Sequence, residues 1–181
     1  MSDPITVVSY DPAWPETFGQ LGTQLRAALG GVALRIDHLG STAIPGRAAT
    51  PIVDVQISVE RLEPVEPFRL PLETAGFLYR ASNTERTKRY FREPPGQRRT
   101  HIHVRRAGSF SEQFPLLFRD FLRANPEAAL DYGQRKRALA AKLVHDRRGY
   151  LEAKLPVIWD VLRRADQWAQ HTGWEPGPSD A

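Results

Sequence analysis

Two adjacent segments carry the residues best suited to chemistry. Asp37-His38-Leu39-Gly40-Ser41-Thr42-Ala43-Ile44-Pro45-Gly46 is followed, after a short linker, by Pro51-Ile52-Val53-Asp54-Val55-Gln56-Ile57. The first reads as a strand entering a Gly-Ser bend, the second as a strand with one carboxylate. A tight bend can present backbone N–H groups and a hydroxyl to phosphate oxygens. A carboxylate on the next strand can hold a magnesium ion against the same phosphates. Gly40 and Ser41 are therefore candidate phosphate contacts, with Thr42 a second hydroxyl; the competing reading is a plain strand-to-helix turn. Asp54 interrupts an apolar strand, where an unpaired carboxylate is costly, so it requires a metal, a basic partner or strong hydrogen bonds. Gln56 lies two residues on and points to the same face, as either a weak partner in the site or a satisfied core amide. The combination suggests phosphoryl or nucleotidyl transfer.

His101 and His103 alternate in the same way, so their side chains also share a face. If their strand lies beside that of Asp54, the three side chains converge. The pair then reads as metal ligands, with neutral imidazole favouring a transition metal over magnesium. One of them could instead be a general base near neutral pH, or both could simply hydrogen-bond in a half-exposed sheet. His38, just before the bend, reads as structural. From Arg80 to Arg106 nine basic residues stand against two acids, Glu85 and Glu93, a net +7 that leaves −3 of the chain's overall +4 for the rest. A basic segment on a mildly acidic body suggests a local anionic partner. Arg89, Arg92, Arg99 and Arg105 are candidates for a triphosphate or an RNA backbone, because the guanidinium fork donates two parallel hydrogen bonds to phosphate. Alternation along a strand lets only half of them face one site. Arg47, in the linker, could reach a phosphate or be solvated.

The elements that must position these residues follow from pattern. Ile5 to Val8 reads as a short edge strand. Asp11 and Pro12 open a helix whose Trp14, Phe18, Leu21, Leu25 and Leu29 repeat at helical spacing until Gly30-Gly31. Ala33 to Leu39 and Pro51 to Val59 are strands, the second apolar enough to be interior. Pro64 to Ala75 reads as a helix and Phe77 to Arg80 as a strand. Lys88 to Arg92 and Thr100 to Arg106 flank the turn Glu93-Pro94-Pro95-Gly96-Gln97 as an antiparallel hairpin. From Ser111 the chain is helical, with a second helix from Asn125-Pro126 to about Arg148 and a last one marked by Leu151, Leu155, Ile158, Trp159 and Leu162. Residues 1–170 form a single domain on this reading, and 171–181, rich in Gly, Pro and polar residues, a flexible tail. The order implies an α+β fold, a sheet with a helical C-terminal part.

The 181 residues suffice for one buried core, and 41% hydrophobic residues fit a globular chain. The chain has no cysteine, which excludes disulfides, thiolate catalysis and Cys-based zinc sites and is compatible with the cytoplasm. Met1-Ser2-Asp3-Pro4 has neither a basic n-region nor an apolar h-region, so no signal peptide is expected. No apolar run approaches the roughly 18 residues of a membrane span.

His38-Leu39-Gly40-Ser41-Thr42-Ala43-Ile44-Pro45-Gly46 with Pro51-Ile52-Val53-Asp54-Val55 resembles the GrpB family of the nucleotidyltransferase superfamily. Arg99 to Val104, Phe118 to Pro126, and Tyr150 with Lys154 match further blocks in the same order, so the likeness runs to about residue 165. It implies a nucleotidyltransferase-like fold, a small mixed β-sheet packed with helices, with Gly40 and Ser41 facing nucleotide phosphates and Asp54 as the first of two metal-binding carboxylates. Gln56 stands where the second would be, which puts the usual two-metal mechanism in doubt. Tyr150 and Lys154 would close over a phosphate. The reading is thus a metal-dependent nucleotidyltransferase that uses a nucleoside triphosphate and Mg²⁺ or Mn²⁺. Its metal would sit on Asp54, His101 and His103, and its phosphates on Gly40, Ser41, Thr42, Arg89, Arg99 and Lys154. The acceptor and oligomeric state are open. The alternatives are a degenerate module that binds a nucleotide or phosphorylated metabolite without chemistry, and an RNA-binding protein.

Overall fold

The computed structural model describes residues 4–181; Met1 to Asp3, on which part of the leader reading rests, lie outside them. The chain runs α1 (Trp14–Leu29), β1 (Arg35–Leu39), a 3-10 turn (Ser41–Ala43), β2 (Val53–Val59), α2 (Glu66–Thr74), β3 (Leu78–Tyr79), β4 (Lys88–Arg92), β5 (Thr100–Arg106), α3 (Phe110–Ala124), α4 (Pro126–Lys142) and α5 (Arg147–Thr172). The five strands form one sheet in the order β1-β2-β5-β4-β3. β2 and β5 are parallel and every other pair is antiparallel, which makes the sheet mixed.

The two faces of this sheet differ in chemistry. Period-2 alternation puts Ile36, Val53, Val55, Ile57, Val59, Phe91, Ile102 and Val104 on one face. They bury against Trp14, Phe18, Leu25 and Leu29 of α1 and Phe68 and Leu72 of α2. The opposite face carries Asp37, Asp54, Gln56, Ser58, Tyr90, Arg92, His101, His103 and Arg105, in register across four strands. Helices α3, α4 and α5 lie over that polar face. They share a second core of Phe121, Leu122, Ala128, Ala129, Val157, Val161 and Ala165. A sheet face this polar, covered rather than left to solvent, requires a partner for each group it buries.

Several boundaries differ from the sequence reading. Of Ile5 to Val8 only Val8 pairs, as an isolated bridge to Ala49. The helix expected to reach Arg148 ends at Lys142, and Gly149 lies in the first turn of α5, where its N–H donates to the Asp146 cap at 2.8 Å. Leu151, Leu155 and Trp159 are exposed on α5, and Val157, Val161 and Ala165 fill the core instead. The segment read as a loose tail is helical to Thr172 and then lies along β1. Ser179 Oγ accepts from Ile36 N at 2.8 Å, and Asp180 Oδ2 accepts from His38 N at 2.9 Å. Composition could not anticipate this, because the segment is held mainly by hydrogen bonds to an open strand edge, with Ala181 its apolar contact to the core. Among the described residues no helix is long and apolar enough to cross a membrane.

Candidate functional site

Register brings the expected triad together. Asp54 on β2 sits opposite His101 on β5, and Gln56 opposite His103. His101 Nδ1 lies 3.4 Å and His103 Nε2 3.3 Å from Asp54 Oδ1. Tyr90 of β4 packs against both imidazoles, at 5.5 and 5.4 Å between ring centroids. The donor atoms of Asp54, His101 and His103 all fall within 4.8 Å of one another, a spacing that could hold a cation. Among the described residues no guanidinium or ammonium forms a salt bridge with Asp54; its ion-pair partners are the two histidines. Burial works to raise the Asp54 carboxyl, but hydrogen bonds from His101 and His103 and their nearby charge prevail and hold it well below the usual carboxylate range. The far ring nitrogens, His101 Nε2 and His103 Nδ1, are buried without a protein partner among the described residues.

The bend above the triad is built around Gly40, whose φ is +71°. A Cβ there would stand 2.2 Å from Asp54 Oδ2, so only glycine lets the backbone pass this close to the carboxylate. The bend opens into a single 3-10 turn rather than a long helix. Ser41 Oγ accepts from Thr50 N at 3.3 Å and faces a cavity of about 540 Å³. That cavity is also lined by Asp54, Arg99, His101, Tyr132, Arg147 and Lys154. A smaller one of about 250 Å³ reaches Asp54 from the other side, past His103, Arg105 and Phe118.

Two expectations, for Thr42 and Arg89, are corrected by geometry, and the two readings of Gln56 are decided. Thr42 is fully buried, its hydroxyl donating to Ile52 O at 3.2 Å and accepting from His38 Nε2 at 2.9 Å, so it is not available to a phosphate. Arg89 lies in register with Val104 on the apolar face and pairs with Glu63, away from the cavity. Gln56, in the position of a second carboxylate, is a satisfied core amide: Nε2 donates to Glu112 O at 3.1 Å and Oε1 accepts from Arg105 Nη1 at 2.7 Å. Arg92 is likewise engaged, with Glu93 at 2.8 Å. His38 is structural as expected, stacked on Phe18 at 4.7 Å, and burial lowers it to about 4.

Sequence reasoning missed Tyr132 and Lys136. On α4 the row Ala128, Tyr132, Lys136, Ala140 is spaced by four and entirely buried. A lysine on such a row was the available signal. Lys136 is 1% exposed and forms no salt bridge among the described residues; burial, reinforced by the Lys154 cation, lowers it to about 7, with Asp54 pulling the other way. Its ammonium stands 5.7 Å from the Tyr132 ring. Lys154 lies 5.8 Å from the Tyr150 ring, and the buried Tyr150 hydroxyl has no partner among the described residues. The site is therefore an acid flanked by imidazoles at the floor of a cavity, with basic and phenolic groups from α4 and α5 along its wall.

Comparison with known proteins agrees with this architecture. The family model for GrpB protein matches residues 4–164. The crystal structure of conserved protein GrpB from Enterococcus faecalis superposes with a TM-score of 0.80 at 32% identity, over 90% of this chain and 99% of that one. A protein named dephospho-CoA kinase from Mycolicibacterium paratuberculosis is 35% identical over 198 residues, covering 96% of this chain and 49% of its own length. The chain thus spans about half the length of that relative. The Cid1 poly(U) polymerase, solved with magnesium and 3'-dATP bound, aligns with a TM-score of 0.51 at 13% identity over 74% of this chain and 44% of that one, which speaks to fold alone. The fold is nucleotidyltransferase-like.

Proposed function

This chain belongs to the GrpB family, and from that premise we propose that it binds a nucleoside triphosphate with a divalent cation and transfers a nucleotidyl group to an acceptor hydroxyl, releasing pyrophosphate. One observation carries the proposal: Asp54, ionised and flanked by two imidazoles, sits at the floor of a cavity of about 540 Å³ whose wall is basic. Ser41 and Arg99 offer a hydroxyl and a guanidinium to phosphate oxygens at the cavity's edge. Lys154 and Arg147, from α5, extend the positive wall toward the distal phosphates. Lys136 lies behind them, and a polyphosphate would supply the counter-charge it lacks. Asp54, His101 and His103 would hold the cation, which when bound supplies Lewis acidity at the reacting phosphorus and neutralises charge on the leaving group. Tyr90 packs against both imidazoles and would limit their movement.

The kinase name of the half-matched relative is not carried over, because the sequence contains no Gly-x4-Gly-Lys-Ser/Thr loop. The test is pyrophosphate release from a panel of nucleoside triphosphates with varied acceptors. Asp54→Asn should abolish turnover while circular dichroism stays native; full activity in that variant removes the proposal. A second reading, binding without chemistry, is favoured by Gln56, whose amide is consumed by Arg105 and Glu112. Calorimetry separates the two: nucleotide binding that needs no cation and yields no pyrophosphate favours the module.

A further inference from the structure

We infer that Asp54, His101 and His103 form a mononuclear transition-metal site of the zinc class, with a coordination position left open to the cavity. The inference rests on the reading of Asp54 as a cation ligand and names the ion that reading left general. The nucleotidyltransferase reading carried magnesium or manganese, while the imidazoles by themselves favoured a transition metal; the convergence of the three donors supports the second.

The spacing comes first. The two N···O separations at Asp54 Oδ1 are 3.3 and 3.4 Å. Both are long for the N–H···O hydrogen bonds that the histidines make to Asp54, whose usual range is about 2.7–3.2 Å. These two separations are close to the edge of a tetrahedron built on metal–ligand bonds of about 2.0–2.1 Å, about 3.3–3.4 Å, and all three donors lie within 4.8 Å of one another. The octahedron that magnesium demands, with bonds of about 2.0–2.1 Å, has shorter edges of about 2.8–3.0 Å. The donors agree: two neutral imidazoles with one carboxylate suit zinc and its neighbours, whereas magnesium takes oxygen ligands and keeps its water.

The surroundings argue for one ion. A second ion of the two-metal kind would need a carboxylate at position 56, where Gln56 Oε1 instead accepts from Arg105 at 2.7 Å. The guanidinium, buried and fixed there, repels a second cation. Three protein donors rather than four is the arrangement of metal sites that leave a place for water or substrate. Here Asp54 and His101 line one cavity, and Asp54 and His103 line the other.

The experiment is calorimetric titration of the metal-stripped full chain with Zn²⁺, Mn²⁺ and Mg²⁺, together with the visible spectrum of the Co²⁺-loaded chain. One Zn²⁺ per chain is expected, bound at least about 100-fold more tightly than Mg²⁺, with intense Co²⁺ ligand-field bands of a four-coordinate ion. His103→Ala and His101→Gln should each weaken Zn²⁺ by more than the about 10–100-fold typical of losing an outer-shell partner. Should either variant lose its native melt, the wild-type Co²⁺ spectrum decides, and weak six-coordinate bands overturn the inference. Equal affinity for Mg²⁺ and Zn²⁺, two ions per chain, or Zn²⁺ binding undiminished in a folded His103→Ala also overturn it. Zn²⁺ held by the histidines in a chain that neither binds nor turns over nucleotide upholds the site and removes the proposed function. Nucleotidyl transfer with Mg²⁺ alone in His103→Ala does the reverse.

Discussion

Replacing Gly40 with alanine would put a methyl group 2.2 Å from Asp54 Oδ2 and 3.0 Å from its Cγ, on a backbone whose φ is +71° and ψ −172°. That conformation is nearly closed to residues with a Cβ and costs about 1–3 kcal/mol. The carboxylate must also retreat by at least about 1 Å to restore ordinary contact. The combined loss should be about 2–4 kcal/mol. At about 2–4 °C for each kcal/mol in a chain of this size, the melting temperature should fall by about 5–15 °C. The same displacement takes Asp54 away from His101 and His103, and a misplacement of about 1 Å costs about 100-fold in function. Gly46→Ala is the matched control: its φ is +69°, yet nothing lies within 4 Å of the added carbon. It should lose only the backbone strain, about 1–2 kcal/mol, and keep wild-type cation affinity. Thermal melts and Zn²⁺ calorimetry on the two variants read both quantities. Equal destabilisation of the two, with cation affinity intact in Gly40→Ala, would refute the argument that this glycine exists to let the bend approach the carboxylate.

Two further predictions concern buried bases. His38 is lowered from 6.5 to about 4 in the fold, so between these values the unfolded chain binds more protons and stability rises with pH. The contribution is complete above about pH 6.5 and lost on acidification toward pH 4, about 3 kcal/mol in all; urea denaturation at several pH values should show that slope, and His38→Gln should flatten it. Lys136 is lowered from 10.5 to about 7 in the fold, so its burden on stability is full below about pH 7 and lifts as pH rises from there toward 10.5. Lys136→Met should therefore stabilise the chain at pH 7 by up to about 4 kcal/mol while weakening triphosphate binding at least about 10-fold. A less stable Lys136→Met with unchanged triphosphate affinity would show that this buried ammonium does not act on the phosphates.

Where the sequence reading failed, the cause was competition for the same polar atoms. Thr42 had the right chemistry for a site and the right local phase, yet its hydroxyl is spent inside the fold, on Ile52 O and His38; of the two readings of Gln56, the satisfied amide holds, spent on Arg105 and Glu112 O. A sequence states that a hydroxyl or an amide exists at a position; it does not state which neighbour claims it first. Arg89 was lost to a different rule. It belongs to the other parity of β4 from Tyr90 and Arg92, and parity sends it to the apolar face.

Alternation and bends were local properties, and they were legible in the chain: the strands, the hairpin, the shared face of Asp54 with Gln56 and of His101 with His103, and the glycine bend. These depend only on backbone period and steric allowance, which act over a few residues. The parallel pairing of β2 with β5, which sets Asp54 opposite His101 across 47 residues of chain, belongs to tertiary structure. So does the arrival of Lys136 beside Lys154, and of the segment after Thr172 along β1. Those contacts follow from which apolar faces can be buried together at once, a condition on the whole sheet and its helices that no single segment expresses.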